Sequence, residues 1–517
     1  MNKLPIGQQD FKGLIDDNCI YVDKTETIYK MITEGKYYFL SRPRRFGKSL
    51  LVSTIKEIFS GNKYLFKDLW IENKWDWNQK FPIIHLPFAS IGYEKLSLET
   101  AISTRILEIA NRKENNITIE ASTIDQQFRE LVLKLQKKFN QPVIILVDEY
   151  DKPIIDYIGT DLQQAKANQK TLKTFYSVIK DLDASIRFCF LTGVSKFSKV
   201  SVFSDLNNLR DITISKAYSD ILGITQTELE FYFKDYIVSL GQELSLDKEE
   251  ILEKIKLWYN GYNWTGKDKV YNPFSTLLLF RELDFKNYWF ASATPTFLID
   301  LLRDQQIYDI NNSRVGQVVF ESFEISDKIN IRSLLFQTGY LTIKGVDKRG
   351  IYTLGYPNKE VREAFLDYLI EGFSGSNKEE VKPLIFDIED AFIANNIEEV
   401  IRLTNRLFKN LPYQLHDRTE KFYHAVIHLM YYYLGIYIDS EVCTSDGRAD
   451  AVVQTDTHIY CLEFKLNQSA KIALQQIEDR GYLQKYSGQG KKLVAVGINV
   501  SSKVKGIDDW DVVDWGS

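Results

Sequence analysis

Apolar residues fall into two rhythms along this chain. Short, mostly apolar runs at residues 36–40, 81–88, 141–147 and 186–191 read as buried strands. Between them, residues 49–59, 98–112, 121–139 and 161–182 place apolar side chains three and four apart, as Leu51, Ile55 and Phe59 do, and read as helices. Pro82 and Pro87 bracket the second strand, which puts them near its ends. Strands alternating with helices predict an α/β, doubly wound parallel sheet over residues 1–222. Past Gly223 the pattern turns helical. Thr225 with Glu228 forms a capping box, and a second helix runs from Asp247 to Tyr259 and stops at Asn260-Gly261. A helix through residues 331–336, a strand at 340–343, a turn at 345–350 and a strand at 351–354 predict a winged-helix-like piece within 329–372. The Gly-, Ser- and charge-rich stretch 371–379 reads as a linker, and helices follow to Asn410. Strands at 436–443, 448–454 and 458–466 predict an antiparallel meander. The domains expected are therefore 1–222, 223–375 (helical lid and winged-helix-like), 376–410 (helical connector) and 411–517 (small α/β).

The first strand runs into Arg42-Pro43-Arg44-Arg45-Phe46-Gly47-Lys48-Ser49 and then a helix. This is a phosphate-binding loop, the start of a P-loop NTPase fold. Gly47 lets the backbone approach a ligand, the free amides at the helix start suit a β-phosphate, Lys48 reaches the β- and γ-phosphates, and Ser49 can bind Mg²⁺. Arg44 and Arg45 add charge for the triphosphate. Where G-x-x-x-x-G-K-[ST] opens on glycine this chain has Arg42, so an ordinary residue held by Pro43 must make the first turn. The alternative, a basic surface turn before an amphipathic helix, loses ground to a second motif. The run Val143-Ile144-Ile145-Leu146-Val147 closes in Asp148-Glu149, a Walker B pattern. Asp148 is placed to hold the Mg²⁺ and Glu149 to orient or deprotonate the attacking water.

The C-terminal strands carry a second chemistry. On a strand, Glu463 and Lys465 project from one face while Phe464 enters the core on the other, and Asp450 on the adjacent strand can lie opposite them. Two carboxylates beside a lysine are what Mg²⁺-dependent phosphodiester hydrolysis requires: the acids bind metal and Lys465 positions water or stabilises developing charge. A surface ion pair is the alternative. His424 and His428 lie four apart without an intervening H-E-x-x-H glutamate, so a polar or core helix face is preferred over zinc.

Tyr21-Val22-Asp23-Lys24-Thr25, the loop from Arg42 to Ser49 and Val147-Asp148-Glu149-Tyr150-Asp151 together resemble the bacterial and archaeal AAA-ATPase-like family, whose loop pattern shares the arginine at the Arg42 position. The resemblance extends over nearly the whole chain. It implies that residues 8–35 fold over the nucleotide and that a PD-(D/E)XK nuclease-like domain follows, matching Asp450-x12-Glu463-x-Lys465. By resemblance to that nuclease fold, Glu420 is an accessory metal ligand and Gln476, with Tyr482, an accessory catalytic group. By analogy with P-loop ATPases, Thr192 or Ser195 senses the γ-phosphate or merely forms a turn. Pro273 likewise packs on adenine or is a plain helix-start proline, and Arg210 is a candidate arginine finger.

At 517 residues the chain is too long for one core. Its 44% hydrophobic and 26% charged residues make an ordinary globular composition, and a net charge of −5 argues against a general nucleic-acid-coating protein without excluding a local basic groove. Cys19, Cys189, Cys443 and Cys461 lack metal or disulfide spacing, residues 1–7 lack an export signal, and no apolar run is long enough to span a membrane. A cytoplasmic location is expected. The combined reading is an ATP-binding and ATP-hydrolysing protein whose nucleotide state controls an appended Mg²⁺-dependent nuclease, in host defence or mobile-element conflict. ATP, Mg²⁺, DNA or RNA and a second copy of the chain are the expected cofactors and partners. The alternative is a nucleotide-switched interaction protein whose nuclease-like domain binds without cutting.

Overall fold

The computed structural model describes residues 2–196, 202–203, 206, 208–289, 296–305, 307, 310–311, 313–321, 330–374, 378–409, 420–435, 439–442 and 450–515. They form two compact units, Met1–Ser292 with Asn311–Val361 and Ala293–Ile310 with Arg362–Ser517.

The first unit is built on a parallel sheet of β1 (Tyr37–Ser41), β2 (Ile83–Pro87), β3 (Val143–Asp148), β4 (Ile186–Gly193) and β5 (Arg210–Asp211), in the order β2-β3-β4-β1-β5. All residues of β1 and β3 are buried, as strands covered by helices on both faces must be. Helix Lys48–Phe59 buries Leu51, Ile55 and Phe59 against the sheet, the face that their spacing predicts. Because β4 lies between β1 and β3, the phosphate loop and the Asp148-Glu149 carboxylates leave the same sheet edge with the end of β4 between them. That edge, at the carboxyl ends of parallel strands, is where such sheets place ligands.

Helices Gln226–Tyr232 and Lys248–Tyr259 each open on a complete capping box, at Thr225 and at Asp247. The hairpin β6 (Asn260–Tyr262) and β7 (Val270–Tyr271) leads into helix Pro273–Glu282. β8 (Ser313–Val315) precedes helix Ile331–Thr338 and forms, with the hairpin of β9 (Thr342–Val346) and β10 (Tyr352–Gly355) that follows the helix, a three-stranded antiparallel sheet. Its strands start one or two residues later than the apolar pattern predicts, because the helix ends at Gly339 in a left-handed cap and the chain needs two more residues to turn.

Helix Lys359–Ser374 begins in the first unit, which holds Lys359, Glu360 and Val361, and continues into the second, where it and helices Lys378–Ile393, Ile397–Lys409 and Glu420–Leu434 precede a sheet of β11 (Asp439–Val442), β12 (Ala451–Gln454), β13 (His458–Leu466), β14 (Lys492–Ser501) and β15 (Gly506–Trp515), in chain order. The expected meander covers only its first three strands. β14 runs parallel to β13 after helix Ala470–Arg480 crosses over, and β15 returns antiparallel, so the sheet is mixed. Residues 371–374, expected as linker, form the last turn of helix Lys359–Ser374, while 375–377 lie outside the described residues. The connector helices pack on this sheet: the Tyr460 hydroxyl donates to Phe392 O at 3.0 Å, and the Asn405 amide donates to Ile507 O at 3.1 Å.

Arg42 is wholly buried. The sequence assigns it an ordinary turn held by Pro43, but its backbone extends the sheet by donating to Gly193 O at 3.2 Å, and its side chain is a structural bolt. The guanidinium donates to the carbonyls of Ser41 (2.9 Å), Thr213 (2.8 Å) and Tyr218 (3.3 Å) and lies 4.0 Å from the Trp264 ring centre. Burial lowers its pKa to about 9. Arg42→Gly, which restores the usual glycine of the loop motif, leaves buried carbonyls without donors. It is expected to destabilise the protein by about 3 kcal/mol or more, read as a drop in Tm; an unchanged Tm would refute the bolt.

Candidate functional sites

Gly47 at φ +90° and Arg45 at φ +68° curl the loop between β1 and helix Lys48–Phe59 through two left-handed positions. Glycine takes the first without a steric cost, and the curl turns backbone amides toward a common centre. The Lys48 ammonium donates to Arg42 O at 3.0 Å and Pro43 O at 2.9 Å, so it is held across the loop's mouth. Its burial holds its pKa below the ordinary lysine value, against the pull of Asp148, Glu149 and Asp151. Arg44, Arg45, Gly47, Lys48, Ser49 and Glu149 line one cleft of about 390 Å³. Arg44 and Arg45 are exposed, with the Arg45 guanidinium 4.5 Å from the Phe274 ring centre.

Asp148, at the end of β3, is buried beside the Ser49 hydroxyl, and burial raises its pKa. Its Oδ1 is buried without a hydrogen-bond partner. A hydroxyl and a carboxylate with an unmatched oxygen form a donor set that fits a hard divalent cation. Glu149 follows at φ +51°, a left-handed position that a non-glycine residue adopts at a cost, and it reaches the cleft half-buried.

Asp151, which sequence reading left without a role although it closes the Val147–Asp151 motif, is fully buried and also lines the cleft. Its Oδ2 accepts from the amides of Val194 (3.0 Å) and Ser195 (2.6 Å) and from the Ser195 hydroxyl (2.8 Å), and burial pushes its carboxyl up to about 6. It thereby ties the end of β3 to the end of β4. Gly193 is required there, since a Cβ would lie 2.3 Å from Asp151 Oδ1. Ser195 is thus committed to Asp151, and the buried Thr192 hydroxyl donates to Leu40 O at 2.8 Å. Neither of these γ-phosphate sensor candidates is brought to the cleft lining. Arg210 is not brought there either: its guanidinium lies over the rings of Tyr38 (5.8 Å) and Tyr218 (5.7 Å). Pro273 is brought to it. The proline is the first residue of its helix and borders both the cleft and an adjoining apolar pocket of about 110 Å³, lined also by Tyr21, Val22, Leu222, Ile224 and Phe233. That pocket suits the flat face of a base.

In the second unit, Ala451 pairs with Leu462, so Asp450 falls opposite Glu463, as period-two alternation predicts. Phe464 turns to the other face, 5.8 Å from the Tyr431 ring, and its amide donates to Asp450 Oδ2 at 2.8 Å. The Lys465 ammonium donates to Glu463 Oε1 at 2.9 Å, Gln476 Nε2 donates to the same oxygen, and Gln476 Nε2 also lies 3.3 Å from the Tyr482 hydroxyl. Burial, with Asp450 nearby, raises the Glu463 carboxyl to about 7. Asp450, Glu463, Lys465 and Gln476 therefore form one cluster. The side chains of Glu420 and His424 lie outside the described residues; His428 is buried and stacks on Tyr432. Among the described residues no group of three or more His, Cys, Asp or Glu side chains is arranged to hold a metal.

Sequence reading missed Gly497. It sits beside Glu463 in the parallel pairing of β13 with β14, and a Cβ there would lie 2.3 Å from Ala470 O and 2.8 Å from Leu474 Cγ. The missing side chain lets helix Ala470–Arg480 approach closely enough for Gln476 to reach Glu463. Its signal, a lone glycine in an apolar strand, marks close backbone approach.

Residues 5–203 match the family described as predicted AAA-ATPase, and residues 418–510 match the PD-(D/E)XK nuclease superfamily. Over 519 aligned positions covering 96% of each chain, the protein is 38% identical to an uncharacterized protein in the vnfD 5′ region of Azotobacter chroococcum mcd 1. No solved structure matches it. Gly497→Ala should force helix Ala470–Arg480 away from β14 and lower Tm, as overpacking in a close-packed core does. An unchanged Tm in that variant would show that the close approach does not matter.

Proposed function

This chain belongs to a family that joins a predicted AAA-ATPase to a C-terminal PD-(D/E)XK nuclease superfamily domain, and from that premise we propose that it is an ATPase whose nucleotide state controls metal-dependent cleavage of DNA or RNA. The observation that carries the ATPase half is the convergence of Lys48, Ser49, Glu149 and Asp151 on one cleft with the buried, unpartnered oxygen of Asp148 beside it. In this reading ATP lies with its phosphates along Arg45–Ser49 and its base in the apolar pocket beside Pro273. Lys48 moves from the loop carbonyls to the β- and γ-phosphates, and Arg44 and Arg45 close over the chain of phosphates. Glu149 orients the water and takes its proton, while Asp151 keeps the end of β4 in register with it.

At the second site Asp450 and Glu463 hold the metal, Lys465 positions the attacking water and stabilises charge building on the phosphate, and Gln476 fixes the Glu463 carboxylate. Ser49 and Asp148 at one site and Asp450 and Glu463, with Glu420 by resemblance, at the other would hold Mg²⁺, which would supply charge neutralisation for the phosphates. No helix among the described residues is long and apolar enough to cross a membrane. Cys19 and Cys189 are free, buried thiols, which supports a reducing, cytoplasmic setting. Conflict with mobile genetic elements is the physiological role we infer, by analogy with nucleotide-gated nucleases. A second reading is a nucleotide-switched module that binds nucleic acid without cutting. It is favoured by the engagement of Glu463 Oε1 by both Lys465 and Gln476.

Nucleotide titration, phosphate release and cleavage of DNA and RNA with Mg²⁺ or Mn²⁺ test the proposal on the full chain. Lys48→Ala should lose tight ATP binding, whereas Glu149→Gln should bind ATP and hydrolyse it at least 10²-fold more slowly. Asp450→Ala, Glu463→Ala and Lys465→Ala should each lose cleavage while remaining folded. Cleavage should differ several-fold between ATP, ADP and no nucleotide, with ATP-bound Glu149→Gln at one extreme. Wild-type protein that cuts nothing with any metal would leave the binding-module reading in place.

A further inference from the structure

The nucleotide cleft is closed on one side by helix Pro273–Glu282, and that helix and the phosphate loop lead to the same buried carboxylate. Glu360, wholly buried, accepts from the Ser275 hydroxyl at 2.9 Å to each oxygen and from the Trp289 amide at 2.8 Å. Ser275 is the third residue of the helix whose Pro273, Phe274 and Leu277 line the cleft. Trp289 reaches the other way: its indole N–H donates to the carbonyl of Arg44, in the middle of the phosphate loop, at 3.1 Å. Around it, Tyr340 lies 5.2 Å away ring to ring, and Gly339, whose Cβ would collide with Pro43 at 2.6 Å, closes the loop's flank. The path Ser275–Glu360–Trp289–Arg44 thus joins the wall beside the base to the backbone that cradles the phosphates. A carbonyl fixed at Arg44 fixes the peptide plane that carries the Arg45 amide, and with it the aim of the amides that follow toward a phosphate.

We propose that Glu360 and Trp289 are positioning residues for nucleotide binding, a clamp that holds the phosphate loop and the Pro273 helix at the spacing that a nucleoside di- or triphosphate needs. The clamp rests on the reading of this cleft as the ATP site and extends it to residues far from the loop in sequence. It acts on the bound ground state. ATP and ADP are therefore affected alike, and hydrolysis from the saturated complex is not. Burial pushes the Glu360 carboxyl up to about 8, so a neutral side chain of the same shape fits its place and Glu360→Gln is the conservative variant.

The full chain is titrated with a fluorescent ATP analogue and with ADP, and phosphate release is measured across ATP concentration. Trp289→Phe keeps an aromatic ring at this position and removes the indole N–H; Glu360→Ala removes both acceptors. Each should raise Kd for ATP and ADP, and KM, by about tenfold while kcat stays within about threefold. Glu360→Gln should stay within about threefold of wild type in Kd. The double variant Glu360→Ala/Trp289→Phe should be no weaker than the poorer single variant, as for two members of one path. A merely structural role would lower Tm and the fraction of protein that binds without moving Kd. If Glu360→Ala does not fold, Trp289→Phe decides the matter. Wild-type affinity in Trp289→Phe overturns the clamp alone, whereas wild-type protein without nucleotide affinity overturns the ATP site and the clamp together.

Discussion

A guanidinium in a dry interior must find acceptors for its protons, and in this protein that constraint sets the position of the whole phosphate loop. The two terminal nitrogens of Arg42 find acceptors only when the strand end at Ser41, the turn at Thr213 and the carbonyl of Tyr218 stand around them with the Trp264 ring against the guanidinium. The neighbours continue the pattern. Phe46 packs edge-on against Tyr262 and Trp264, Pro43 fills the space left by Gly339, and Arg45 lies over Phe274. In most phosphate loops the positions between the glycines are free to vary. Here each is a contact with chain that follows the parallel sheet, and the loop's shape is a property of the entire first unit.

The parallel sheet was legible because its strands are fully buried and its helices one-sided, so the pattern carries both element type and facing. The two motifs were legible because the chemistry of phosphate and metal demands fixed residue types at short range. Asp450 opposite Glu463 could be read because alternation on paired strands is strict. What escaped depends on long-range neighbours. Nothing near Thr192 or Ser195 in sequence says that Leu40 and Asp151 will claim their hydroxyls. Gly497 looks like any weak point in an apolar strand until helix Ala470–Arg480 is laid across it. Strands β14 and β15 went unread because the three strands before them already completed a plausible meander, and the parallel return of β14 depends on a crossover helix whose partner lies beyond it.

The two sites differ in how they are assembled. In the nuclease-like centre, Asp450 just before β12, Glu463 and Lys465 on β13, Gln476 on the next helix and Tyr482 just past its end come from a short stretch of chain that brings them together. Its electrostatics are correspondingly tight: a carboxylate raised to about 7 sits between a lysine, an amide and a second acid. The nucleotide cleft is open and mixed. Exposed arginines face a half-buried Glu149 and a buried Asp151, and Glu149, in a left-handed conformation, is the residue proposed to orient the water.

Such a wide assembly has a consequence for synthesis. The phosphate loop leaves the ribosome early, yet Pro43 meets its partner only when Gly339 has followed, nearly 300 residues later by position. At typical elongation rates of 5–20 residues per second that is a delay of roughly 15 to 60 s, during which the early strands exist without the chain that shapes their loop. The early strands therefore wait for distant chain before their loop takes its final shape, and contact order, rather than the local motif, decides when the fold is complete.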